Sequence, residues 1–179
     1  MKTYYVALIL AGACSSAACA VSERVMPGTM SDANVLAVLN TIDQSEIEAA
    51  QLAKRKAQSG EVRSYAGHII DDHTAVMDKN RQLANRVNLR PEPSSLASRL
   101  MSTHQETMDR LRILSGDEFD RAYIGYQVAL HDEAVSLVEK TSRSTDNPEL
   151  QRQLSEMVPD LRQHLDQAKR LQNQLGGKS

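Results

Sequence analysis

Apolar residues recur at alternating steps of four and three along four stretches of the chain. Val35, Leu39, Ile42, Glu46, Ala49 and Ala53 form the first series, and Val62, Ala66, Ile69, His73, Val76, Asn80, Leu83 and Val87 the second. Ile124, Val128, His131, Val135 and Val138 form the third, and Leu150, Leu154, Met157, Leu161, His164, Ala168, Leu171 and Leu175 the fourth. This spacing predicts amphipathic helices whose apolar stripes pack against one another. Three histidines and one glutamate hold places that aliphatic residues fill elsewhere in the stripes. An ionisable group on a buried face must meet a polar partner, water or an ion, because desolvating it alone is costly.

Capping and breaking residues divide the chain into five helices. Ser31 is a candidate N-cap for a first helix to about Gln58, and Ser59-Gly60 breaks the pattern before a second helix to about Val87. Pro91-Glu92-Pro93 is a rigid connector. Ser94 or Ser95 then opens a third helix with Leu96, Leu100, Thr103, Thr107, Leu111 and Leu114 on its face. Ser115 and Glu118 have the spacing of a capping box for a fourth helix through about Thr141. Asn147 followed by Pro148 reads as an N-cap with proline at the first helical position, starting a fifth helix that Gly176-Gly177 ends. Pro159 lies inside this helix and should kink it. Long helices with short connections predict an all-α fold, an antiparallel bundle.

The first twenty residues read as an export signal: Lys2, a short apolar run over Val6–Ala13, and Ala18-Cys19-Ala20 as a small-residue cleavage site. Residues 21–30 then form a tether, 31–176 the bundle and 177–179 a tail. Cleavage after Ala20 gives a periplasmic or secreted protein. The alternative is an imperfect lipoprotein box with Cys19 as the lipidated residue. Both cysteines, Cys14 and Cys19, fall in the leader, which excludes thiolate catalysis and cysteine-based zinc sites in the exported domain. Loss of Lys2 takes the basic count from 21 to 20 against 23 acids, a net charge near −3. With no basic block, nucleic acid is not an expected partner. No transmembrane segment follows the leader.

Glu46 lies 13 residues before the Ser59-Gly60 turn and His73 a similar distance after it. At about 1.5 Å of rise per residue the two should face each other at one level. His131 and His164 flank the next turn more loosely. Three imidazoles and a carboxylate suit a single transition metal ion, whether zinc, iron, copper, nickel or manganese. Ligand histidines normally give their other N–H to a supporting group. Asp160 and Gln127, one turn before His164 and His131, are candidates for that support, with Asp120 and Tyr123 reachable from the bundle end. Asp72 is a further candidate. His68 and His104 fall off the stripes and read as surface or flanking residues. The bland alternative is a buried hydrogen-bonded cluster in which Glu46 offsets one protonated histidine, completed by Asn80 and waters.

These stripes resemble a bacterial family. Glu46 through Ala53, Val62-Arg63-Ser64-Tyr65-Ala66 leading to Asp72-His73, Phe119-Asp120-Arg121-Ala122-Tyr123 followed by His131, and Leu161-Arg162-Gln163-His164-Leu165 carry the resemblance. The set is similar to the ferritin-like domain of unknown function 4142, found in exported proteins, over about Ala33–Leu175. The resemblance implies a ferritin-like four-helix bundle with one added helix, the third here, and no established activity. A di-iron centre needs a Glu three residues before a His on two helices. Ile70, Val128 and Leu161 stand three before His73, His131 and His164. A mononuclear site is therefore the most these ligands support. With Glu46 as fourth ligand the site is closed, which favours structural or carrier roles over catalysis, and metal handling or envelope stress protection is the expected function. An enzyme would need a metal-bound water with Glu46 as base. The competing class is a metal-free envelope interaction or structural protein.

Overall fold

The computed structural model describes residues 30–177. The expected signal peptide, the lipidation site at Cys19 and all of the tether but Met30 lie outside the described residues. Five α-helices make up the rest: α1 (Asp32–Lys56), α2 (Gly60–Arg86), α3 (Ser95–Ile113), α4 (Gly116–Ser144) and α5 (Pro148–Gly176). No strand occurs among the described residues. The start signals work as the sequence implies at three of the five helices, and Ser59, expected only to break the pattern, caps a fourth. Ser31, Ser59, Ser94 and Asn147 each accept a backbone N–H of the following turn. The fifth, Ser115, makes no side-chain cap bond. The chain instead enters α4 through Gly116 at φ +58°, where an added Cβ would stand 3.1 Å from Gln58 Oε1. Glycine suits that left-handed, crowded position. Pro159 sits on the exposed side of α5, and the helix continues through it.

Side-chain bonds fix the directions of the helices. Asn80 meets Asn40 and His73 meets Asp43, so α1 and α2 run antiparallel. Lys169 with Asp132 and Gln151 with Ser142 O make α4 and α5 antiparallel. The two hairpins close on each other through α1 against α4 and α2 against α5, as in Gln58 N to Asp120 and Arg86 to Glu149. The third helix lies outside this group, along α1 and α4. Its buried residues are Ala97, His104, Met108 and Leu111. The expected face is therefore rotated, since Thr103 is exposed and His104 is buried. Both ring nitrogens of His104 are taken, by Tyr126 Oη at 3.2 Å and Glu48 Oε2 at 3.2 Å. It is a structural histidine joining α3 to α4 and α1, not a flanking one.

Two apolar slabs fill the bundle. One end packs Ala49, Ala53, Val62, Ile69, Phe119, Ile124 and Leu171, and the other Val35, Leu39, Leu83, Val138, Leu150 and Leu154. Each of these four helices puts one or two buried polar residues between the slabs: Asp43 and Glu46, His73, Gln127 and His131, and His164. The bundle therefore holds a polar layer at mid-height, walled on both sides by aliphatic side chains.

Candidate metal centre

The three stripe histidines meet in that layer. Their ring centroids stand 5.3 to 5.8 Å apart, and all three side chains are buried. Each imidazole is held by one nitrogen only. His73 Nδ1 lies 2.8 Å from Asp43 Oδ1, His131 Nδ1 lies 3.0 Å from the Gln127 carbonyl, and His164 Nε2 lies 2.9 Å from Asp72 Oδ2. The other nitrogens, His73 Nε2, His131 Nε2 and His164 Nδ1, are buried without a hydrogen-bond partner. One ligand atom from each ring lies within 4.8 Å of the others. Nitrogens bound to one ion at 2.0–2.1 Å stand about 3.3 Å apart in a tetrahedral site, so closure requires movement on the order of 1 Å.

Three nitrogens of neutral imidazoles present lone pairs and no donor, provided each N–H is held on the opposite side. That is how ligand histidines are normally oriented. Burial, with the charge of His73 adding to it, depresses the His131 pKa to about 4, so His131 is neutral at neutral pH. His164 is lowered as well, first by burial and against the pull of Asp72. Burial also opposes charge on His73, but the Asp43 bond and the fields of Glu46, Asp43 and Asp72 outweigh it and raise its pKa. A cation at His73 Nε2 would displace a proton, so ion and proton compete for that nitrogen.

Glu46 lies at the expected level but not at the expected partner. Its Oε2 accepts from Gln127 Nε2 at 2.6 Å, and its Oε1 stands 3.4 Å from His131 Nδ1, on the side of that ring already held by the Gln127 carbonyl. The carboxylate facing His73 belongs to Asp43, one turn earlier, whose second oxygen accepts from Asn80 at 2.9 Å. Asp43 was not legible as a site residue because it lies off the stripe. α1 packs against three helices and buries positions on several of its faces, including Leu36, Val38 and Asp43. Burial raises the pKa of both carboxylates, and neighbouring histidines oppose it.

Of the supporting residues expected, Gln127 stands directly behind His131 and also accepts from Tyr65 Oη at 3.0 Å. Asp160 is exposed and lines a cleft that reaches His73 and His164. Tyr123 is buried with its hydroxyl unpartnered, stacked on Phe119. Asp120 serves a different purpose. Its oxygens accept the backbone N–H groups of Gln58 and Ser59 at 3.0 and 2.7 Å, so it ties α4 to the α1–α2 turn. Asp120→Ala strands both donors, and unfolding in urea should show a loss of about 2–3 kcal/mol with the histidine cluster unchanged.

The cleft opens between α2 and α5, has a volume of about 260 Å³, and is lined by Asp72, Lys79, Met157, Asp160 and Gln163 besides the two histidines. No helix among the described residues is long and apolar enough to cross a membrane.

No curated protein matches the chain. Among solved structures, a Streptomyces coelicolor DUF305 protein described as secreted superposes with a TM-score of 0.68 at 15% identity, covering 80% of this chain and 92% of its own. CopM in its Cu(II)-bound form superposes with a TM-score of 0.63 at 17% identity, covering 80% and 96%. Likeness at these identities is likeness of fold. The family model described as domain of unknown function (DUF4142) matches residues 17–171, and the chain belongs to that family.

Proposed function

We propose that this is an exported protein that binds one transition metal ion through His73, His131 and His164, for metal handling or envelope stress protection. The observation that carries the reading is a buried cluster of three imidazoles that each bring one ring nitrogen within 4.8 Å of the others, and each of which has one nitrogen held and one without a partner. Leaving buried polar atoms unpaired is costly, on the order of 1–3 kcal/mol each, and an ion removes that cost for all three together. Glu46 acts in this reading through His131, and Asp43 and Asp72 do the same for His73 and His164. The imidazole set suits copper, zinc, iron, nickel or manganese. The fold it shares with CopM, a protein seen with Cu(II), puts copper first among the ions to test.

Purified without an affinity tag, the protein should carry close to one equivalent of a single metal by plasma mass spectrometry, and His73→Ala should lose it. Added metal at a thousand times its dissociation constant should stabilise the native protein by about 4 kcal/mol. If no metal co-purifies and none binds on titration, the layer is a hydrogen-bond cluster. The metal-free interaction reading then replaces this one.

A further inference from the structure

We infer that an ion held by the three histidines keeps a coordination position open to the cleft between α2 and α5, where a small inorganic ligand, water or a monovalent anion of azide's size, binds it directly. This rests on the metal reading of the same site. Three imidazoles fill three corners of a tetrahedral site, and an ion with three protein ligands retains a fourth, exchangeable position. The side-chain carboxylates of the layer stand beside the other nitrogens of the three rings, not beside the free ones. Both oxygens of Asp43 are engaged, by His73 and Asn80. Glu46 is turned to Gln127 and to Nδ1 of His131, and Asp72 to Nε2 of His164. Each carboxylate therefore stands behind a ring. Met157, the one thioether in the cleft lining, packs in the apolar slab with Leu154 and Leu161.

Solvent space reaches two of the three rings, those of His73 and His164, and Asp43 lines it with them. The cleft is lined by His73 and His164, and its volume of about 260 Å³ is far above the roughly 15 Å³ that a single water needs. Lys79 lines it and forms no ion pair among the described residues, so a cation already stands on the path of an incoming anion. Asp72 and Asp160 line the same space and favour entry of the metal cation. The site is thus placed to load an ion from outside and then to take a small ligand on it. That distinguishes it from a closed structural site.

Cobalt(II) makes the coordination visible. The purified protein loaded with one cobalt(II) should show d–d bands that shift on titration with sodium azide and saturate at one azide per ion. Ala75→Phe narrows the cleft at an exposed position in its lining. It should keep the cobalt and weaken azide binding at least about tenfold, equivalent to roughly 1.4 kcal/mol. Bound cobalt whose spectrum ignores azide overturns the open position and leaves the metal reading intact. An azide shift unaltered by Ala75→Phe overturns the assignment of the cleft as the route. Failure to retain either cobalt(II) or copper(II) removes the metal reading and this inference with it.

Discussion

In the metal-free protein His73→Leu should cost roughly 3–5 kcal/mol, and adding Asp43→Asn should restore at least half of that loss. Asp43 is 1% exposed and His73 3%, and the bond between them is 2.8 Å. Removing the imidazole leaves a buried carboxylate whose remaining partner is the amide of Asn80. An uncompensated buried charge is worse than either the pair or a neutral substitute. Asparagine at position 43 keeps an acceptor for Asn80 and carries no charge. Asp43 can also escape by taking a proton, since burial already raises its pKa, and this relief sets the lower end of the range. Urea unfolding of wild type, both single variants and the double variant at pH 7 gives the coupling directly. Additive losses would mean that the pair does not interact, and that His73 is oriented by something other than Asp43. The same coupling means that turning all three histidines to leucine does not simply convert the layer into apolar core. Asp43 and Glu46 must be neutralised as well.

The fold was legible because its signals are local. Ser31, Ser94 and Asn147 act as caps where the sequence places them, and the α2 and α5 stripes are the faces that those helices bury. The histidines were legible for the same reason, each being a polar residue in an aliphatic series. What the stripes could not give was rotation. α4 packs among α5, α1 and α3, so its buried face takes in Gln127 and Ala134 while Val128 and Val135 are only partly buried. A stripe also hides residues on helices that bury more than one side, and Asp43 on α1 was lost that way. The level of Glu46 followed from helical rise, whereas its partner depended on where each side chain points. His104 shows the remaining gap. Its environment is made by α1 and α4, more than twenty residues away on each side, and nothing in the third helix alone announces them.

Acidification separates the contribution of His131 from that of its neighbours. Its pKa is about 4 in the folded chain, depressed first by burial and then by the charge of His73, against about 6.5 when unfolded. Between those values the unfolded chain binds the proton more tightly, so stability falls as pH falls. The contribution is complete above about pH 6.5 and lost by about pH 4, and the whole difference is roughly 3 kcal/mol. Other groups titrate over part of this range. The raised pKa of His73 works in the opposite sense, with stability present at low pH and lost as pH rises through the folded value. The informative quantity is therefore the stability of metal-free wild type relative to His131→Leu, in which the other groups largely cancel. That difference should be flat above pH 7, move about 3 kcal/mol in favour of the leucine variant by pH 4, and flatten again below. A difference independent of pH would mean that His131 titrates normally and is reached by solvent. A ring 1% exposed, with Nδ1 held by the Gln127 carbonyl, is poorly placed to do so. A neutral imidazole at neutral pH is also the form that binds a metal, so the same depression that makes His131 sensitive to acid keeps its Nε2 lone pair available for an ion.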